Sequence, residues 1–337
     1  MGIEQKSGSI ALRPQKGKKY LWGIILAGGD GNRLQKFVER LYGYNRPKQY
    51  CTIVGTRSLI KHTLDRAQMF IPPERLITVV NSHHDEYVSE EIGDQPTETI
   101  IEQPCNRDTC AGILLPMLKI HHQDPEAIVT IFPSDHFIKE EARFMQNVWE
   151  ANVFVEDNPD TIVMLGTKPL SIETGYGWIE TGYRVNTNSD KVFRRVNNFW
   201  EKPELEQLKE LLMNGCLINT FVLVGRSESF IKYIKECVPD IYKAFESISN
   251  NIGTYREKVM IKQVYHEIPA KNFSKFVLNR IPKHIYALEV TGVHWSDWGE
   301  EHRIYKDINI YNLTKKAPQL AGSNLCKNYN VGDIFYG

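Results

Sequence analysis

Apolar runs of strand length alternate with stretches of helical period over the first half of this chain, and that alternation limits the fold most. Residues 21–27, 76–81, 99–102, 127–132 and 161–166 read as buried strands. Between them, Leu34, Phe37, Val38 and Leu41 recur at helical spacing, 59–70 reads as a helix halted by Pro72 and Pro73, and 109–121 and 137–154 read as helices. Pro116 sits inside the third of these and weakens it as a helix. Strands buried on both sides with helical crossovers between them form an α/β fold, a mostly parallel sheet with helices on both faces. Beyond residue 170 the pattern changes. Runs 178–185 and 191–199 read as a hairpin, Leu205, Leu208, Leu211 and Leu212 mark an amphipathic helix closed by Asn214-Gly215, 217–225 and 285–290 read as strands, and 301–313 as a last helix before a polar tail.

Forty-one basic residues balance forty-one acidic ones, which argues against a surface made to coat nucleic acid. Six cysteines with no CxxC pair read as reduced thiols, no apolar run reaches the length of a membrane span, and the N-terminus has no apolar signal core. A cytoplasmic protein is expected, bound to neither membrane nor nucleic acid. Residues 1–20, basic and rich in Gly and Ser, read as a mobile tail.

The first strand runs into Leu26-Ala27-Gly28-Gly29-Asp30-Gly31-Asn32-Arg33-Leu34. Three glycines in four positions let a backbone come close to a ligand and turn its N–H groups toward it, and a helix follows at once. Such a loop suits phosphates. It is neither GxxxxGK[ST], which is absent, nor GxGxxG, because Leu34 stands where the last glycine belongs. An arginine lies two residues past the last glycine, and Arg46-Pro47-Lys48-Gln49 follows downstream.

The glycine loop with Arg33, together with Arg46-Pro47-Lys48-Gln49, resembles the signature of the sugar-nucleotide pyrophosphorylases, and Pro-Lys-Gln resembles their mannose-1-phosphate guanylyltransferase branch. Further segments are similar to that family in order over about residues 21–300. Gln103-Pro104-Cys105-Asn106-Arg107-Asp108-Thr109 resembles the base-holding segment, and Phe132-Pro133-Ser134-Asp135-His136 the metal-binding aspartate motif. Thr174-Gly175-Tyr176-Gly177-Trp178-Ile179 resembles the sugar loop, Phe199-Trp200-Glu201-Lys202-Pro203 the sugar-phosphate lysine motif, and Trp295-Ser296-Asp297-Trp298-Gly299 the second aspartate motif.

The resemblance implies a Rossmann-like core with a smaller mixed sugar-binding part. It also implies a reaction in which a hexose-1-phosphate and a nucleoside triphosphate, most simply mannose-1-phosphate and GTP, give a nucleotide-sugar and pyrophosphate with Mg²⁺. The nucleotide half would run over 21–170, the sugar-phosphate half over 171–300, and a C-terminal helix and tail over 301–337. The phosphomannose isomerase domain fused to some relatives is not expected. The implied catalytic residues are Arg33, Lys48, Asp135, Lys202 and Asp297, with Asp135 and Asp297 as metal ligands. Ala27, Gly28, Gly29, Gly31, Asn32, Gln103, Pro104, Asn106, Arg107, Thr109 and Ser134 would join Arg33, Lys48 and Asp135 around the nucleotide, and Gly177, Glu201, Lys202 and Asn219 would hold the sugar phosphate. A homodimer is left open.

These residue types suit the chemistry. A phosphate nucleophile needs no activating base, so catalysis reduces to aligning two polyanions and neutralising charge at the α-phosphate. Two carboxylates with phosphate oxygens suit Mg²⁺. Taken alone, several have plainer readings: Asp135 as a helix N-cap, Asp297 as a turn residue, Glu201-Lys202 as a solvated pair. His83-His84 and His121-His122 show no metal spacing against each other and read as surface residues. Three departures from the family pattern stand out: Asp108 where glycine is usual, Cys110-Ala111 in place of Ala-Pro, and Ile218-Asn219-Thr220-Phe221 in place of Trp-Asn-Ser-Gly. They leave base and sugar open to UDP- or dTDP-glucose chemistry. A regulatory homologue without activity would be expected to lack Arg33 or Asp135, and a glycosyltransferase to carry Asp-x-Asp, which is absent around Asp135.

Overall fold

The computed structural model describes residues 20–187, 189–213 and 215–313. Most of the expected N-terminal tail, the Asn214 cap and the polar tail lie outside the described residues. Strand β1 (Leu21–Leu26) is followed by a 3₁₀ turn at Asn32–Leu34 and by α1 (Gln35–Tyr42), so the helix after the glycine loop starts later and more tightly than its periodicity suggests. Then come α2 (Leu59–Ala67), β2 (Leu76–Asn81), α3 (Asp85–Ile92), β3 (Ile100–Gln103), α4 (Asp108–Gln123) and β4 (Ile128–Pro133). Helix α4 runs straight through Pro116, because ten of its sixteen residues are buried and the packing outweighs the lost backbone bond.

A helix over 137–154 is expected from the sequence, but Phe137–Ile138 is a short strand, β5, and the helix α5 begins only at Glu141 and runs to Asp157. Strand β5 pairs antiparallel with β11 (Trp295–Ser296), and that pairing holds it extended. Asp135 is therefore not the cap of a helix.

The later elements are β6 (Ile162–Thr167), β7 (Gly177–Val185), β8 (Phe193–Glu201), α6 (Leu205–Met213) and β9 (Leu217–Arg226). Helices α7 (Ser227–Cys237), α8 (Pro239–Ser249), α9 (Glu257–Glu267) and the short α10 (Phe273–Phe276) lead to β10 (Ile285–Val290), then β11 and α11 (Glu301–Ile310).

Nine strands form one sheet in the order β3-β2-β1-β4-β9-β6-β10-β8-β7. The β3-β2-β1-β4 half is parallel throughout. Strand β9 inserts antiparallel between β4 and β6, and the β7-β8 hairpin closes the far edge antiparallel. Helices α4, α7, α8 and α9 bury one face, and α2, α5 and α6 the other. A third, smaller cluster packs α1 against α11 through Phe37, Trp298 and Tyr305. The carboxyl ends of β1 and β4 lie side by side, where open α/β sheets bind ligands.

Candidate active site

The glycine loop leaves β1 and is stapled from two sides. Gln49 Nε2 donates to the carbonyls of Ala27 and Gly29, both at 2.8 Å, and Asn81 Nδ2 donates to the carbonyl of Gly28 at 2.5 Å. With carbonyls of the loop held by side chains, its N–H groups remain for a ligand. Gly31 is irreplaceable on two counts. Its φ is +68°, and a Cβ there would stand 2.9 Å from the backbone nitrogen of Lys48. A Cβ on Gly29 would meet nothing within 4 Å.

Lys48 lies beneath that loop, in a 3₁₀ turn started by Pro47. Its side chain is only 4% exposed, so its ammonium needs partners. Nζ donates to Asp135 Oδ2 at 3.0 Å and to the backbone carbonyl of Asp297. Asp135 stands just past β4 and Asp297 just past β11, and the β5–β11 pairing brings them to one ammonium. Burial works to raise the pKa of both carboxyls. Lys48 and neighbouring cations outweigh it, holding Asp135 below the usual carboxylate range and Asp297 down to about 2.

Asp297 Oδ1 is fully engaged: it accepts from Arg303 Nη1 at 2.6 Å, the Gly299 backbone N–H at 2.9 Å and the Tyr176 hydroxyl at 3.1 Å. Its Oδ2 faces the Arg33 guanidinium at 3.8 Å. His136, next to Asp135, is neutral, since burial pushes its pKa down to about 4. Its Nδ1 accepts from Trp295 Nε1 at 3.2 Å, which leaves the ring proton on Nε2, on the side of Asp135. Two ionised carboxylates, each with an oxygen left for another cation, form a hard donor set that fits Mg²⁺.

Beside the loop lies a cavity of about 680 Å³, large enough for a nucleoside, lined by Gly28, Gly29, Gln103, Asn106, Thr109 and Phe221 among others. Gln103 is 5% exposed, and its Oε1 accepts from the Tyr265 hydroxyl at 3.1 Å. Several expected nucleotide residues stand outside that lining. Arg107 donates from Nε and Nη2 to the carbonyls of Tyr265 and His266 at the end of α9, so its fork caps a helix. Pro104 offers its carbonyl to Ser82. Ser134 donates its backbone N–H to Leu26 at 3.2 Å, tying β4 to β1 rather than lining the cavity. Asn32 is turned to Gln35, 2.8 Å away.

Glu201 and Lys202 open onto a neighbouring cavity of about 540 Å³. Asp108 lines both cavities, so the two meet across it. Lys202 Nζ is 3.7 Å from Glu201 Oε1 and largely exposed, while burial raises the Glu201 carboxyl. Gly177 lets Phe199 pack against its backbone, where a Cβ would come within 2.8 Å of the ring. Asn219 is buried on β9, its Oδ1 accepting from Phe221 N–H at 2.9 Å.

Two residues of this site carry no signal in the sequence: Asn81 reaches it from a strand end, and Arg303 from a helix beyond the expected catalytic segment. Tyr176 comes from the segment that resembles the sugar loop, where nothing in the resemblance singles it out. His84 is 1% exposed rather than on the surface, and His121 Nδ1 meets Ser227 Oγ at 2.9 Å. Asp108 and Phe221, at two of the family departures, both have left-handed backbones, φ +60° and +57°. Glycine would be at ease at either place.

The chain is 25% identical over 300 residues to mannose-1-phosphate guanylyltransferase 2 of Escherichia coli O157:H7, covering 86% of this chain and 60% of that protein. It is 30% identical over 226 residues to a mannose-1-phosphate guanylyltransferase of Salmonella montevideo, covering 66% of this chain and 46% of the relative. The chain thus spans about half to three fifths of the length of these curated relatives. A crystal structure titled mannose-1-phosphate geranyltransferase, from Thermus thermophilus, superposes with a TM-score of 0.70 at 21% identity, covering 83% of this chain and 76% of that one, and so shares the fold. The family model described as nucleotidyl transferase matches residues 22–312, nearly all of what the structure describes, and the chain belongs to that family.

Proposed function

We propose that the protein joins mannose-1-phosphate to the guanylyl group of GTP, forming GDP-mannose and pyrophosphate, with Mg²⁺, and that it does so in the cytoplasm. The observation that carries this reading is Lys48, whose buried ammonium bridges Asp135 and the Asp297 loop directly beneath the glycine loop. In this reading the loop N–H groups and Arg33 hold the β- and γ-phosphates, and Lys48 offsets charge building at the α-phosphate. Lys202 holds the sugar phosphate and Glu201 accepts from sugar hydroxyls. A phosphate oxygen of the sugar-1-phosphate attacks the α-phosphorus as the bond to the bridging oxygen of pyrophosphate breaks, and no base is required. Asp135 and Asp297 would hold Mg²⁺, which supplies charge neutralisation on the phosphate oxygens. The guanylyl and mannose assignments follow the named relatives and the Pro-Lys-Gln form of the lysine motif.

The test is pyrophosphate release over a matrix of the four nucleoside triphosphates against several hexose-1-phosphates. GTP with mannose-1-phosphate is expected to be best, with GTP ahead of ATP by about tenfold or more in kcat/KM. UTP or dTTP as the best donor would overturn the guanylyl assignment and leave the nucleotidyl transfer standing.

A further inference from the structure

Asp30 is chemically out of place. It lies between Gly29 and Gly31, in the loop that the proposed function assigns to the phosphates, and a carboxylate there would repel the same anions. Its surroundings hold a second oddity. His83 and His84 occupy the 3₁₀ turn that follows β2, and both rings face Asp30. His83 Nε2 is 2.8 Å from Asp30 Oδ1 and His84 Nε2 is 3.4 Å from the same oxygen. One ligand atom from each of the three residues lies within 4.8 Å of the others. His84 is 1% exposed, yet neither of its ring nitrogens makes a hydrogen bond, a costly state for buried polar atoms. Burial, and His83 beside it, also favour the neutral ring, which has a free lone pair.

We infer that Asp30, His83 and His84 form a site for one divalent transition-metal ion of the Zn²⁺ class, separate from the Asp135–Asp297 pair. Ligands bound at about 2.1 Å in a tetrahedron stand about 3.4 Å apart, and the spacings here need only small side-chain adjustments to match. Two imidazoles and one carboxylate select zinc-like ions over Mg²⁺. A cation there satisfies the buried His84 nitrogen, cancels the Asp30 charge and pins the phosphate loop to the end of β2.

The experiment is calorimetric titration of Zn²⁺ into the untagged, chelator-treated full chain, repeated with Co²⁺ to record its visible absorption. One Zn²⁺ per chain is expected, with Co²⁺ bands of four- or five-coordinate intensity. H83A removes a ligand whose side chain is 56% exposed, so the fold should tolerate it, and affinity should fall by at least about tenfold. H122A, at an exposed histidine far along the chain, and D135N should both titrate like the parent. No binding by the parent, an H83A variant that binds as well as the parent, or loss of the site in D135N would each overturn the inference.

Discussion

The two aspartates at the centre of the site look equivalent in the sequence, but their surroundings give them different work. Asp135 has a side chain about one-third exposed and one strong partner, Lys48. Asp297 is nearly buried and also neutralises Arg303, itself 6% exposed. D135N is therefore expected to lower kcat by about a hundredfold or more while the unfolding midpoint stays close to the parent. D297N should lose activity and also about 3–5 kcal/mol of stability, because Arg303 is left without its buried counter-charge. Urea unfolding beside steady-state kinetics separates the two; equal stability losses would mean the burial argument is wrong. Asp108 is a second case. Its Oδ1 accepts from Thr109 N–H and from Asn272, and its backbone is left-handed. D108G relieves that strain while losing those bonds, so stability should move by less than about 1 kcal/mol. With the carboxylate occupied locally, the GTP-over-ATP preference should survive in D108G. A collapse of that preference in the substrate matrix would make Asp108 a reader of the base.

The glycine loop is the element whose parts differ most in what they tolerate. At Gly31, positive φ and the Lys48 backbone both exclude a side chain, so G31A should cost about 1–3 kcal/mol and displace Lys48. At Gly29 a Cβ meets nothing of the protein. G29A should then fold with the parent melting temperature and raise the KM for nucleotide, since only the ligand needs that space. Thermal melts with KM for both substrates decide this; a G29A variant with unchanged nucleotide KM would move the phosphates away from the loop.

For the molecule as a whole, Arg303 ties together segments far apart in sequence. From α11 it reaches Asp297 at 2.6 Å and Glu173 at 2.9 Å, and its guanidinium lies 4.2 Å from the centre of the Tyr176 ring. Asp297, the loop leading into Gly177 and the last described helix are thus one unit, although residue 300 reads as a boundary in the sequence. R303M should lower stability by about 3 kcal/mol or more and raise the KM for the sugar phosphate through the 173–177 loop. A variant with parental unfolding and kinetics would make α11 a mere appendage. Among the described residues no helix is long and apolar enough to cross a membrane.

The sequence by itself determined the strand–helix alternation and the glycine loop, because each is written in local pattern, an apolar run or a glycine spacing, whereas Lys48, Asp135, Lys202 and Asp297 are marked out by the resemblance of their segments to a family. Where local pattern was ambiguous it failed. The apolar period at 137–154 suited a helix, and only pairing with β11 made Phe137–Ile138 a strand. Tertiary structure alone decided that β9 enters the sheet antiparallel between β4 and β6, that the Arg107 guanidinium caps α9, and that His84 is buried against Asp30. Each of those outcomes depends on contacts between residues at least fifty positions apart, and the free energy of such contacts belongs to the packed pair, so neither segment carries a sign of it alone.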